Sequence, residues 1–548
     1  MVSNRPSRGR GWKAHAAQSL SCRSRRGLRA VLVLAGVLGL ALAAPAWADE
    51  AGGDDTGAAG GRRQAPSSAA PPAAKAPSAP AAEAASEDGC RVTPSIRCSW
   101  GGGDHVLSMD GESRLRLEAW DSHRGDDSVF YAIRTRLRMK YDYMKLLTAF
   151  VEGQDTHIWS LDSDSSGVAA VYRRFGPGAD SSHTDGQALR QAWLEIRPIE
   201  GLSLRGGRTD IKLGTQAMYK EGNWKYLKIK RASQRMVGTV GWTHGERTND
   251  AGVASYDFGG YNVYAFGGRP TTGVFDINNA YESQGDILYG GLSFTSKRGT
   301  WIENTEVRPF FLAYSDTRGI DDGGIDGGVE VYTFGGSLIG IYPVGPGNLD
   351  VLVWAAGQAG DYNGRDHLAG AGIVEVGYQL PEVATKPWFR AGINIASGGD
   401  QSGDHNTFFN MLPTNHLYYG FADQFAFQNL IDAFVQVMIK PHKKVSLNAM
   451  FHYFALVDDD DFQYFGTGAF SDKQRAGSFG FGARPSFGHN DVATELDLIA
   501  NYAVNQHVGV QAGFAYLWDG DVWDANKAAG NFRSSDVMFG YLQVMLKY

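Results

Sequence analysis

The stretch Phe130–Tyr143 reads Phe-Tyr-Ala-Ile-Arg-Thr-Arg-Leu-Arg-Met-Lys-Tyr-Asp-Tyr. Taken alternately, it places Arg134, Arg136, Arg138 and Lys140 on one side, and Tyr131, Ile133, Thr135, Leu137, Met139, Tyr141 and Tyr143 on the other. A strand sends successive side chains to opposite faces, so the segment has one cationic and one apolar face; a helix would scatter the four cations around its girth. It is longer than an ordinary soluble strand and close to what a tilted strand needs to cross a bilayer. On the lipid side of a barrel each Lys or Arg at the midplane would cost roughly 2–4 kcal/mol. Four of them would cost about 10 kcal/mol, so the cationic face must look into a watered interior. The fold class that follows is all-β: a transmembrane antiparallel β-barrel.

Working outward, the chain of 548 residues is 43% hydrophobic, holds 71 glycines and 12% aromatics, and has a mean hydropathy of -0.28. Beyond the N-terminus no apolar run is long enough for a membrane helix, whereas low hydropathy is compatible with strands in which every second residue is polar. Residues 1–48 are Arg-rich, then apolar from Ala30 to Ala44, and end on Ala46-Trp47-Ala48, the pattern of a secretory signal peptide. They carry eight Lys or Arg and no acid, so the remainder holds 44 basic and 59 acidic residues, net -15. Residues 49–104 open with an Ala/Pro-rich tract without apolar periodicity, which predicts a disordered periplasmic segment. Two readings stand for Cys90 and Cys98, a disulfide in an oxidising periplasm or two thiols.

Residues 105–548 contain about eighteen strand-like segments, beginning near 105, 129, 145, 187, 201, 234, 259, 286, 305, 329, 348, 367, 386, 427, 443, 491, 506 and 534. Short connections (197–201, 343–347, 381–386, 441–443, 505–506) tend to alternate with long ones (159–186, 212–233, 269–285, 399–426, 458–490, 519–533), and 247–258 is a link that breaks the alternation. Short turns on one side and long loops on the other are expected of an outer-membrane barrel, with the short turns periplasmic and the long loops extracellular. Acids such as Asp321, Asp322, Asp326, Asp400 and Asp404 fall in the long loops. Asp458, Asp459, Asp460 and Asp461 form a weak candidate metal site whose spacing fits no EF-hand loop, the alternative being a solvated charge run. Leu542, Val544, Leu546 and the final Tyr548 alternate, as in the strand by which barrel-insertion machinery recognises its clients.

Two stretches go beyond general barrel physics: Phe408–Gly420 with Asp423 and Asn429–Asp432, and Glu495–Leu498 with Asn501-Tyr502 and Gly509–Tyr516. Leu189–Trp193 followed by Leu204–Arg208 is a third. Together they resemble the alginate-export family of outer-membrane proteins across about 105–548. The resemblance implies an eighteen-stranded monomeric barrel in the bacterial outer membrane, with an electropositive lumen that passes an anionic polysaccharide outward; relatives act as porins for other solutes. Thr209-Asp210 after Arg208 departs from the usual Gln and acid.

The expected pore-lining, anion-binding set is Arg114, Arg116, Arg134, Arg136, Arg138 and Lys140, joined through the resemblance by Arg190, Arg205, Arg208 and Arg390. A guanidinium grips a carboxylate through two donors, and transport needs weak repeated sites. The alternative for any one cation is a bracing ion pair with Glu118, Asp142, Glu195 or Glu375. His416 and Tyr419 are expected to serve loop or rim structure, a sugar-stacking platform from Trp224, Tyr226, Tyr418 and Tyr419 being the alternative. The function expected is export of an alginate-like polyuronate, the alternative a passive porin for small anionic or polar solutes. No Gly-x-Ser-x-Gly, His-Glu-x-x-His or phosphate-binding Gly loop with Lys is present, so no enzyme and no cofactor is expected. Nor is there a basic domain, zinc spacing or stacking motif for nucleic acid. Partners expected are the cargo, outer-membrane lipid, the insertion machinery and a periplasmic export partner.

Overall fold

In the computed structural model, residues 88–548 are described except 93–94, 123–126, 162–166, 175–181, 279, 319–327, 401, 467–481 and 535. The expected signal peptide, the tract 49–87 and the acids Asp321, Asp322 and Asp326 lie outside the described residues. A hairpin comes first, β1 (Gly89–Val92) and β2 (Ile96–Trp100). The wall follows with β3 (His105–Asp121), β4 (Ser128–Tyr143), β5 (Leu147–Trp159), β6 (His183–Ile196), β7 (Leu202–Thr209), β8 (Asn249–Phe258) and β9 (Tyr261–Pro270). It continues through β10 (Ile287–Ser296), β11 (Thr305–Asp316), β12 (Val329–Val344), β13 (Gly347–Tyr362), β14 (Asp366–Gln379), β15 (Trp388–Ala396), β16 (Leu430–His442) and β17 (Val445–Ala455). A small two-stranded sheet, β18 (Phe462–Phe465) and β19 (Gly482–Pro485), interrupts it before β20 (Asp491–Ala503), β21 (Val508–Asp519) and β22 (Val537–Lys547).

Every wall strand pairs antiparallel with its neighbours, and β22 pairs with β3 from Met538↔Asp121 to Lys547↔Glu112. The sheet therefore closes on itself with eighteen strands and no free edge along the wall. At the seam the Tyr548 backbone exchanges hydrogen bonds with Gly111 (2.6 and 3.0 Å), and its ring lies 2.3 Å from where a Cβ on Gly111 would stand, so a side chain at 111 would have to displace that ring.

The alternation read from Phe130–Tyr143 holds in three dimensions. Phe130, Ala132, Arg134 and Arg136 are buried inside, while Tyr131, Leu137 and Met139 are exposed on the outer wall, as are Leu194, Phe334 and Leu368 on other strands. The core is the interior of the barrel, and the apolar outer wall is left for lipid. The turns 144–146, 259–260, 345–346 and 443–444 lie at one end, and loops 210–248, 397–429 and 456–490 start at the other.

Two corrections concern particular segments. The eighteen-strand count stands, but the strand expected near 234 is not one; 234–248 runs inside the barrel and the strand is Asn249–Phe258, the stretch taken for a link. The reason is composition. Ala251, Gly252, Ala254 and Ser255 give β8 little apolar alternation, whereas Met236-Val237 and Val240 are strand-like because they are buried inside. The other correction is that Gly89–Trp100, within the segment expected to lack structure, is a hairpin closed by a Cys90–Cys98 disulfide and paired with β3 from Ile96↔Met109 to Trp100↔His105.

Candidate functional site: the braced cationic lumen

The inward residues of neighbouring strands stand opposite one another in register, which builds a charged column from β3, β4, β5 and β6. Arg114 and Arg116 on β3, Arg134, Arg136, Arg138 and Lys140 on β4, and Arg190 on β6 all point inward. Arg190 does so through an irregularity: the β5–β6 register shifts beside Glu152, leaving Arg190 without a partner, and Arg190 and Gln191 are both buried.

None of these wall guanidiniums is bare. Arg134 meets Glu246 at 2.5 Å and Glu112 at 3.3 Å; Arg136 meets Glu246 at 2.9 Å; Arg138 meets Asp110, Glu112 and Glu152 at 2.9, 2.9 and 2.6 Å. Arg190 joins Glu152 (2.5 Å), Asp210 (2.8 Å) and Glu246 (2.8 Å). Arg116 pairs with Glu118 at 3.0 Å, and Arg114 donates to the carbonyls of Gly241 and Thr243. The bracing alternative therefore describes the geometry: Glu118, Asp142, Glu195 and Glu375 hold Arg116, Lys140, Arg205 and Arg390 respectively. Lys140, Arg138 and Arg205 keep 44%, 24% and 31% of their side chains exposed and are the wetted members of the column.

Arg208 departs from the expected set. It shares the parity of the exposed Leu204, not of inward Arg205, and pairs with Asp250 at 2.7 Å on the outer wall. The Trp224, Tyr418 and Tyr419 rings of the alternative sugar-stacking platform are buried and in use. Tyr418 donates to the Ser233 carbonyl, Tyr419 accepts from Arg235 at 3.1 Å, and Trp224 packs against Tyr219. His416 stacks on Trp242 at 3.9 Å and bonds Asp423 at 2.9 Å. In the acidic run, Asp461 is buried and accepts from Thr407 (2.6 Å) and Tyr464 (2.8 Å), so it braces a loop; Asp458, Asp459 and Asp460 lie within reach of one another.

The missed component is loop 210–248. β7 ends at Thr209 and the chain turns inward. The loop carries eight Lys or Arg against three acids. Its first arm descends to the short-turn side, where Glu221 pairs with Arg298 at 2.9 Å and Tyr219 with Glu306 at 2.6 Å. Past Gly222–Tyr226 and the π-helical turn Leu227–Ala232, Lys228 meets Glu306 (2.6 Å), and Arg231 and Arg235 meet Glu375 (2.7 and 3.0 Å), which also takes Arg390 at 2.7 Å. The loop then crosses the barrel. Trp242 lies 3.6 Å under the Arg116 guanidinium, and Glu246 sits among Arg134, Arg136 and Arg190. Burial alone would raise the Glu246 carboxyl, but Arg136, Arg134 and Arg190 hold it well below the usual carboxylate range. Burial, with Arg114 and Arg116, pushes the His244 imidazole well below its usual range, so it is neutral. Loop 397–429 interlocks with this bar: Gly238 N–H donates to the Leu412 carbonyl (2.9 Å) and Leu412 N–H to Met236 (3.0 Å). The signal in the sequence was the charge count of 210–248, masked by the strand-like run from Met236 to Val240. Beside residues 210–217, on the short-turn side, a recess of about 660 Å³ is lined by Arg197, Arg205, Lys212, Glu195, Asp257 and Asn262, among others.

A closed eighteen-stranded wall, apolar outside and charged within, defines an outer-membrane channel of the porin-like kind. The family model described as Alginate export matches residues 107–535, and the chain belongs to that family. Among solved structures the chain is similar to Pseudomonas aeruginosa OccK9 (OpdG), 12% identical, with 80% of this chain and 98% of that chain covered and a TM-score of 0.52. It is likewise similar to Acinetobacter baumannii OccAB2, 10% identical, covering 81% and 98%, with a TM-score of 0.52. These likenesses speak for the fold. No curated protein matches the chain. The protein is a channel of the bacterial outer membrane.

Proposed function

We propose that the channel passes an anionic exopolysaccharide of the polyuronate type outward, with the inward guanidinium column as its electrostatic filter. The observation that carries this reading is the column itself: Arg205, Arg138 and Lys140 at its wetted part lead to Arg190, Arg136, Arg134 and Arg114 deeper in, each held in place by a carboxylate or carbonyl. Such fixed, already partnered cations attract a carboxylate while binding it weakly, and that suits movement along a row of sites. Family membership supports the same cargo class.

The second reading is a passive porin for small anionic or polar solutes. It is favoured by loop 210–248, which spans the lumen and is anchored on both walls. Planar-bilayer conductance of the purified barrel separates the two. Under the export reading, added oligouronate blocks the current, and block and anion selectivity both fall when Arg134, Arg136 and Arg138 are replaced by Ser. Small-anion selectivity without any block by the polymer supports the porin; unchanged selectivity in the triple variant removes the filter.

A further inference from the structure

The outward face at the long-loop end carries a feature the channel does not use. Among the described wall strands, Arg208 and Arg269 are the only Lys or Arg that point outward at that end; the outward charges elsewhere along it are acids such as Asp121, Asp185, Glu330 and Asp361. The two arginines flank one carboxylate, because Arg208↔Asp250 and Asp250↔Arg269 are successive register partners on β7, β8 and β9. Arg208 closes on Asp250 through two hydrogen bonds (2.7 and 2.9 Å), whereas Arg269 is exposed and has no hydrogen-bond or ion-pair partner among the described residues. The cluster therefore keeps one net positive charge.

Its depth follows from the strand. The aromatic rings of Tyr256, Phe258 and Tyr261 lie against one another at the short-turn end of β8 and β9, as a girdle at the inner interface would. From Phe258 to Asp250, at about 3.3 Å per residue and about 40° of tilt, is roughly 20 Å of height, close to the ~25 Å apolar band of such barrels. Arg208 and Arg269 thus sit where the outer leaflet's acyl chains give way to headgroups. One step below them Gly206, Gly252 and Gly267 stand side by side in register, and a Cβ on any of the three would meet nothing within 4 Å. Bare backbone there lets a hydrocarbon chain lie close against the wall.

We propose that Arg208 and Arg269 bind the phosphate of an outer-leaflet lipid headgroup, with Arg269 supplying the free guanidinium and the Arg208–Asp250 pair fixing the second. Charge complementarity selects the occupant. A phosphate presents the oxygen geometry a guanidinium fork matches, and a phosphorylated lipid is the anion available at this depth. The test is native mass spectrometry of the full barrel released from detergent with bis-phosphorylated lipid A or its dephosphorylated form. Wild type should retain the phosphorylated lipid at least tenfold better than the dephosphorylated one. Arg269→Gln, which leaves the Arg208–Asp250 pair intact, should remove most of that preference, and Arg208→Gln with Arg269→Gln all of it, while heat-modifiable migration and channel conductance stay as in wild type. Equal retention of the two lipids by wild type, or an undiminished preference in Arg269→Gln, overturns the assignment. So does loss of the preference only in a double variant that no longer migrates as a folded barrel.

Discussion

Glu246→Gln tests whether the lumen is held shut by one carboxylate. The side chain is buried and lies 2.5, 2.9 and 2.8 Å from Arg134, Arg136 and Arg190, which are buried too. The amide keeps the shape and removes the charge, leaving three guanidiniums to share Glu112, Glu152 and Asp210. Breaking a buried ion pair from one side costs about 3–5 kcal/mol. At about 1.4 kcal/mol per factor of ten, the docked-to-undocked ratio of residues 241–248 should fall by a hundredfold to a few thousandfold. What remains includes the stacking of Trp242 between Arg116 and His416, hydrogen bonds from Arg114 and Arg116 to the backbone carbonyls of 241–243, and those from Gln154 and Tyr281 to the His244 and Gly245 carbonyls. Arg231 and Arg235 still tie the other arm to Glu375, so the loop should detach at one end only. Single-channel recording should show a larger, noisier conductance and a higher anion-to-cation permeability ratio. Wild-type conductance and selectivity, together with wild-type amide protection across 241–248, would refute the reasoning.

Gly111→Val places a side chain where the Tyr548 ring lies; the closing seam should loosen and the folded, heat-modifiable band should form more slowly, with no change in ion selectivity once folded. Gly420 has φ of +80°, and a Cβ there would come 2.4 Å from the Glu495 carboxylate, so Gly420→Ala should destabilise loop 397–429 by about 1–3 kcal/mol, read as a lower midpoint in denaturant. Burial, with His367 and Arg365, pushes the His405 imidazole down to about 3. The folded state therefore needs it neutral while the unfolded chain takes a proton below about 6.5. Stability of this loop should be level above about pH 6.5 and be lost progressively as pH falls toward 3. A nitroxide at Ser402→Cys should report rising mobility over that window, and a flat response from pH 7 to 4 would contradict it.

The wall was legible locally. In Phe130–Tyr143 the period of two separates Arg134, Arg136 and Arg138 from Ile133 and Leu137 by backbone geometry alone, and the same pattern located most strands within a few residues. β8 failed because its middle outward positions, Gly252 and Ala254, are small, and the strand is held by its pairing with β7 and β9 more than by its own apolar content. Charge identity was equally legible, and so were the acids Glu118, Asp142, Glu195 and Glu375 that hold four of the cations.

What chain order could not convey is where the loops go. Glu246 meets Arg134 from 112 residues away, and Arg231 meets Glu375 from 144. Such pairs are formed only once the barrel has brought distant strands around a common interior. Arg208 makes the same point from the other direction, since a shift of one position in parity moves a guanidinium from channel to membrane. The sequence by itself determined a membrane-spanning cylinder with arginines to hide, because strand alternation and the cost of charge in lipid are local physics. Only the tertiary structure decided which acids meet those arginines and that a cationic loop crosses the passage, because these depend on long-range closure that no local period encodes.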